Sequence, residues 1–345
     1  MFDLALKRIF LDVNEFGFWD SKNGRIHSKL EHNNDWQWKV SQDQSDRYGV
    51  FTLSAILLAK YLYGIELKNY NNQILSYLNY INNNIKLFPK STITYGACNS
   101  LIFGKILYND TSFDKNIDCC INYLMNKLKK INDNHDSLIL IGLSCYLKNI
   151  EYKDNVANYL KHLVKGIISS QTKDGFFLTG DLRPFHHQRS MYVIWGLAFA
   201  SEHYPDKNLK NIIKRTLDYV WNFRRDRQDN AFSWHPKFYF VRSKSGLHLP
   251  ILLPQSANYL FECHQTFFVN AVKIYSYFFN DNSYDKMKDN ALEWIFGNNR
   301  KGIDLRTVTG IDLPARIMTT DGKFLVRKNK FKGSYEVGSY ILALI

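Results

Sequence analysis

The chain has 345 residues, 45% of them apolar and 15% aromatic, with 24 Phe and 22 Tyr; this supports a large core and excludes a disordered chain. Only 7 prolines occur and no Gly/Ser-rich or Pro-rich linker interrupts the sequence, so one continuous domain over 1–345 is expected. The net charge of +13 comes without a zinc finger or an aromatic-basic RNA-binding strand, which sets nucleic acid aside and leaves a lysine-coated surface or attraction to an acidic sugar polymer.

In chain order, Met1 to Phe10 is too short and too charged for a secretory signal and reads as a helix over 2–12. A long connection, 13–47, leads to Tyr48–Tyr63, a helix apolar nearly all round. A helix over 69–84 with one apolar stripe follows, then Tyr95–Leu107, again apolar all round. In 114–130 the stripe is Ile117, Cys120, Ile121, Leu124 and Leu128. Ser137–Leu147 is apolar; 153–169 is striped through Val156, Tyr159, Leu160, Leu163 and Ile167. Gln188–Ala200 is apolar, 207–226 is striped, Leu260–Phe279 is apolar, 283–297 is striped, and 334–345 closes the chain. No run of about 18 apolar residues occurs, so no membrane span is expected. The five cysteines are odd in number and lack C-x-x-C spacing, which supports neither a disulfide framework nor a zinc site. A reducing, cytoplasmic setting is the expectation.

A helix apolar all round is buried on most sides, and a striped one lies at a surface. Their alternation therefore predicts two concentric rings: an all-α (α/α)6-type toroid of about six helical hairpins with a period near 45 residues. The long connections 13–47, 85–94, 172–187, 227–257 and 298–333 each precede an inner helix, which places them at one mouth. Ala231–Arg242 and Phe324–Arg327 are aromatic and β-branched and predict short strands there.

Three segments carry a family resemblance. Gln171-Thr-Lys-Asp-Gly-Phe-Phe177 looks like the Q-x-x-D-G-x-F turn of many toroids, terpene cyclases included. Ala291-Leu-Glu-Trp-Ile-Phe-Gly-Asn-Asn299, with Thr309-Gly310, is similar to a late segment of endoglucanase-like proteins. Gly333-Ser-Tyr-Glu-Val-Gly338 resembles a glycine-flanked final helix start that places an acidic residue. Together they resemble the six-hairpin glycosidase-like superfamily and its related polysaccharide lyases, which implies sugar chemistry at the mouth. The paired-Asp signature of the endoglucanases is missing.

The candidate site residues follow from the mouth. Asp181, Arg183, His186, His187, Arg189 and Tyr192 gather in one loop and the helix start after it. Arginines bind carboxylates bidentately, and His or Tyr transfers protons near neutral pH. His186 and His187 lack a third metal ligand, so no metal and no cofactor is called for. Glu262, His264 and Gln265 open the fifth inner helix, and Glu336 the sixth. Each carboxylate has a capping role as its alternative. Asp46 is expected to cap the first inner helix, with Arg47 and Tyr48 facing the mouth. Trp36 and Trp38 would share one side of an extended segment and offer ring faces to a sugar. Asp181, His187, Tyr192, Glu262 and Glu336 are thus the expected catalytic set; Trp36, Trp38, Arg47, Tyr48, Arg183, His186, Arg189, His264 and Gln265 are the expected substrate contacts.

Two carboxyl groups about 5 to 10 Å apart would suit glycoside hydrolysis. A His or Tyr base beside arginines would suit uronate lyase or epimerase chemistry. The expected partner is a poly- or oligosaccharide, with an acidic one favoured by charge. The alternative is a non-catalytic glycan-binding or scaffold toroid. A terpene-cyclase reading ranks lower, because neither D-x-D-D nor D-D-x-x-D occurs.

Overall fold

The computed structural model describes residues 1–33, 36–42, 45–129, 136–178, 187–206, 208–233, 238–242, 248–252, 259–324 and 330–345. The apolar segments wind into helices buried along most of their length, and the striped segments pack around them. The helices are α1 (Phe2–Phe10), α2 (Arg47–Tyr63), α3 (Asn71–Asn84), α4 (Cys98–Tyr108), α5 (Asp114–Lys127) and α6 (Ile139–Asn149). They continue with α7 (Asp154–Ser169), α8 (His187–Ala200), α9 (Leu209–Phe223), α10 (Glu262–Phe279), α11 (Asp285–Ile295) and α12 (Ser334–Leu344). The even-numbered helices form the inner ring. Each packs against the next, and α12 returns to α2 to close it. The odd-numbered helices lie outside; α1 packs on α12, so the first and last helices seal the same seam.

Burial follows this division. Every residue of α8 is buried, whereas α9 buries a stripe of Leu209, Ile212, Ile213, Thr216, Leu217, Val220 and Trp221. Left-handed residues end three inner helices, with φ of 66° at Gly64, 52° at Asn109 and 47° at Asn280; glycine and asparagine tolerate that conformation best. Polar side chains inside the ring bond across it. Asn99 Nδ2 donates to the Leu138 carbonyl (2.9 Å), Ser100 Oγ to Val50 O (3.2 Å) and Asn270 Nδ2 to Ser339 O (2.9 Å).

The inner helices begin at one end, and the strands gather there. Lys29–His32 lies between Trp38–Val40 and Phe331–Gly333 in an antiparallel sheet, and Tyr259–Phe261 pairs with Ile317–Thr319. Ala231–Phe232 pairs with Arg225–Asp226, and Phe238–Arg242 with His248–Leu252. The strands expected within Ala231–Arg242 are present. Of Phe324–Arg327, positions 325–327 lie outside the described residues; among the described residues on either side, Ile317–Thr319 and Phe331–Gly333 are strands. The connection expected over 85–94 is also different. It is mostly helical, with Lys90–Thr92 running into a π turn over Ile93–Ala97 before α4. A wider turn of this kind accommodates an extra residue without breaking the helix.

Candidate active site at the mouth

The mouth is built where inner helices start. His187 opens α8, Glu262 opens α10, and Ser334 to Glu336 form the first turn of α12. Strand pairing sets their depth. The Glu262 N–H donates to the Arg316 carbonyl (3.0 Å), and the Ser334 N–H donates to Ser28 O (2.9 Å).

Glu262 and Glu336 come together around one lysine. Lys332 Nζ lies 2.6 Å from Glu262 Oε2 and 3.9 Å from Glu336 Oε2. The two carboxylates are fully buried and the lysine side chain is 2% exposed. Glu336 also accepts from Arg316 Nε (2.6 Å), from the Tyr335 hydroxyl (3.1 Å) and from the Gly333 N–H (3.1 Å). The last bond caps its own helix.

The two carboxylates differ in proton affinity. Burial pushes Glu262 up to about 7, against the opposing pull of the Lys332 charge, and the neighbouring Glu336 charge adds to the rise. Burial also works to raise Glu336, but the Arg316 and Lys332 charges, with hydrogen bonds from Arg316 and Gly333, outweigh it and hold the group below the ordinary carboxylate value. Arg316 is stacked between two rings, with its guanidinium carbon 4.2 Å from the Phe331 centroid and 5.3 Å from that of Phe261. Among the described residues, Glu262 Oε1 has no hydrogen-bond partner.

His187 and His264 stand beside this cluster. Both are fully buried, their ring centroids are 5.1 Å apart, and His187 Nε2 is 2.9 Å from the His264 carbonyl oxygen. A carbonyl can only accept, so Nε2 carries the proton. His187 stacks on Phe232 (4.6 Å) and His264 on Phe261 (5.1 Å). Tyr192, one turn into α8, is packed among Phe51, Trp195 and Phe267, and its hydroxyl accepts from Gln188 Nε2 (2.9 Å). Arg189 is buried in the same turn.

The remaining sequence candidates divide clearly. Asp181, Arg183 and His186 lie outside the described residues. Gln265 holds the backbone rather than an open face. Its Nε2 donates to Phe232 O (3.0 Å) and Phe261 O (2.7 Å), and its Oε1 accepts from the Phe232 N–H (2.9 Å). That engages both amide hydrogens in a clamp on the strand Ala231–Phe232. Asp46 makes no side-chain cap to α2. It pairs with Arg25 (2.5 Å) and accepts from the Tyr80 hydroxyl (3.1 Å), while the Ser45 hydroxyl receives the Arg47 N–H (3.2 Å). Arg47 is exposed, and Tyr48 packs on Tyr335 at 4.5 Å. Trp36 and Trp38 do share one side. Their centroids are 6.3 Å apart and both rings contact His32, at 4.3 Å and 4.7 Å.

Lys332 and Arg316 escaped the sequence reading. Lys332 is the last of a lysine-rich run that reads as solvated surface. Arg316 had one signal, a lone charge among apolar residues in Leu313-Pro-Ala-Arg-Ile-Met318. A further unforeseen group ties two mouth segments together: Arg300 pairs with Asp229 (2.7 Å) and Asp226 (2.8 Å).

No family model and no curated protein matches the sequence. Solved structures do match over the whole chain. The unsaturated glucuronyl hydrolase of Bacillus sp. GL1 is similar at 13% identity and a TM-score of 0.63, over 100% of this chain and 96% of that one. The cellobiose 2-epimerase of Bacillus thermoamylovorans aligns at 10% identity and a TM-score of 0.66, over 99% and 97%. The fold is the six-hairpin α/α toroid. A variant of the Streptococcus agalactiae unsaturated glucuronyl hydrolase, complexed with dGlcA-GalNAc6S, shares it at 13% identity, with a TM-score of 0.63 and coverage of 99% and 89%. At such identities the likeness concerns the toroid alone. Within that toroid, this chain's mouth carries its own set of buried ionisable groups.

Proposed function

We propose that this toroid is a carbohydrate-active enzyme that works on an oligo- or polysaccharide at the mouth, by proton transfer from His187 and His264. The observation that carries the reading is this pair: two histidines from the first turns of adjacent inner helices, 5.1 Å apart and fully buried at the end where the strands gather. Histidine titrates near neutral pH and serves as acid or base there. Arg189 in the first turn of α8 and Tyr192 one turn deeper would orient a sugar hydroxyl or carboxylate.

The carboxylates support epimerase or lyase chemistry over hydrolysis. A glycosidase pair flanks an open gap that takes the sugar and, in inverting enzymes, a water. Glu262 and Glu336 instead share the Lys332 ammonium, and Glu336 is further held by Arg316. Glu262, with its raised proton affinity, acts beside the histidines as a proton reservoir. The toroids that share this fold include an unsaturated glucuronyl hydrolase and a cellobiose 2-epimerase, so sugars are the natural substrate class. We place the reaction in the cytoplasm, which suits five unpaired cysteines.

The test is incubation with neutral and uronate-containing oligosaccharides in heavy water. Proton abstraction from a sugar carbon is read as deuterium incorporation by NMR, lyase action as the ultraviolet absorbance of an unsaturated uronate, and hydrolysis as new reducing ends alone. His187→Ala and His264→Ala should each lower turnover by at least about a hundredfold, the lower end of what general acid–base catalysis contributes. Full turnover in both variants would refute the assignment.

A further inference from the structure

A second feature of the mouth lies outside the histidine centre. The sheet formed by Phe331–Gly333, Lys29–His32 and Trp38–Val40 carries a cleft of about 830 Å³ lined in part by Glu31, His32, Trp38, Lys39, Lys330 and Phe331. Its aromatic parts are held rigidly. Trp38 Nε1 donates to the Thr309 carbonyl (2.8 Å), which consumes the only polar atom of that side chain and leaves the ring face for contact. His32 lies flat on Trp36, with 18° between the rings. Phe331 is braced from one side by Arg316 and faces Lys29 Nζ at 5.3 Å.

Among the described residues that line the cleft, the lysines outnumber the carboxylates. Glu31 is occupied, accepting from Ser41 Oγ (2.6 Å) and facing Lys39 Nζ across the strands (3.9 Å). Lys330 is exposed and, among the described residues, its ammonium has no ion-pair partner. A fixed indole face beside an exposed ammonium matches a pyranose with an apolar C–H face and a ring carboxylate. The cleft is linked to the buried carboxylates through a short chain of side chains. Phe331 touches Arg316, which holds Glu336, and Lys332 of the same strand holds Glu262.

We infer that this cleft is a distal subsite for a uronate-bearing oligosaccharide, gripping a sugar unit remote from the reacting one through Trp38 and Lys330. The inference rests on the reading of the mouth as a sugar-processing site and adds the substrate class: an anionic chain longer than a disaccharide. Binding energy from such a remote unit can be used at the reacting centre.

The test is calorimetric titration of the whole protein with a disaccharide, a tetrasaccharide and a hexasaccharide of alternating glucuronate and N-acetylglucosamine. Cello-oligosaccharides of the same lengths provide the neutral arm. Affinity for the uronate chains should rise by about tenfold beyond the disaccharide. Trp38→Ala should abolish the rise and Trp38→Phe should keep part of it. Trp38→Ala also severs the bond to Thr309, so Lys330→Gln, at an exposed side chain, is the second variant; it should weaken the uronate chains and spare the neutral ones. A length dependence unchanged in Lys330→Gln and in folded Trp38→Ala overturns the subsite. An equal gain by neutral chains overturns its anionic assignment. Glycan turnover indifferent to Trp38 refutes the cleft and leaves the activity standing. Binding that depends on Trp38 and Lys330 without turnover of any sugar supports the cleft and refutes the activity.

Discussion

Lys332 is the residue on which the mouth's charge balance turns. Its ammonium is the nearest cation to Glu262, and removing one partner of a buried ion pair costs about 3–5 kcal/mol. Lys332→Met should therefore destabilise the protein by about that much at alkaline pH in chemical denaturation. The cost should shrink on the acid side, where Glu262 takes up a proton and needs no partner. Native Glu262 gives a second expectation. Its ordinary value of 4.5 rises to about 7 in the folded state. Between those values the folded protein holds a proton that the unfolded chain has released, so the group's contribution to stability falls as pH rises through the window. Glu336, held below its ordinary value, works in the opposite sense and loses its contribution as pH falls through the folded value. Thermal melts across pH should show a decline from mildly acid to neutral pH, and Glu262→Gln should flatten it. An identical slope in that variant would remove Glu262 as the cause.

At the scale of elements, the turn with the Q-x-x-D-G-x-F pattern is a clasp between outer helices. Gln171 Nε2 donates to Ile212 O (2.8 Å) and Thr216 Oγ1 (2.9 Å), while Arg215 donates to Gln171 Oε1 (2.7 Å). Gly175, at φ 97°, presses against the Arg215 carbonyl, and a Cβ there would collide with it. Gln171→Ala should cost about 0.5–1.5 kcal/mol for each hydrogen bond it removes, since the Thr216 hydroxyl keeps its bond to the Gly175 carbonyl (2.8 Å). Gly175→Ala should be destabilising through both its left-handed backbone and the collision. Urea titration monitored by circular dichroism measures both, and neutrality of either would show that the clasp carries no stability. The inner and outer helices were legible in the sequence because their apolar periods differ. Gln188–Ala200 and the stripe of α9 needed only pattern. The strands were less legible. Lys29–His32 and Phe331–Gly333 are too short to show a period, and each exists because a segment from the far end of the chain supplies its hydrogen bonds. For the same reason Lys332 reads as surface until the strand that buries it is in place.

Across the whole molecule, the contact of α12 with α2 and of α1 with α12 closes a ring in which no inner helix is terminal. We propose that residues 1–345 act as one domain and unfold in one transition. Leu6, buried on the inward stripe of α1, tests this. Leu6→Ala should lower stability by about 2–5 kcal/mol, with circular dichroism and tryptophan fluorescence falling together. Two separated transitions would divide the chain instead. The candidate site shows the same dependence on closure. His187 and Glu262 could be named from a helix start, but their companions Arg316 and Lys332 come from the last connection.

The sheet that carries the aromatic cleft joins Lys29–His32 to Phe331–Gly333, one strand from each end of the sequence. During synthesis Lys29–His32 meets Trp38–Val40 early, but its other edge stays unpaired until Phe331–Gly333 has emerged. The cleft therefore exists only when two segments distant in the sequence are folded against each other. Ligand capture by the cleft would thus report that these two segments have met, and a variant in which the strand Phe331–Gly333 is disrupted should retain helices yet lack this grip.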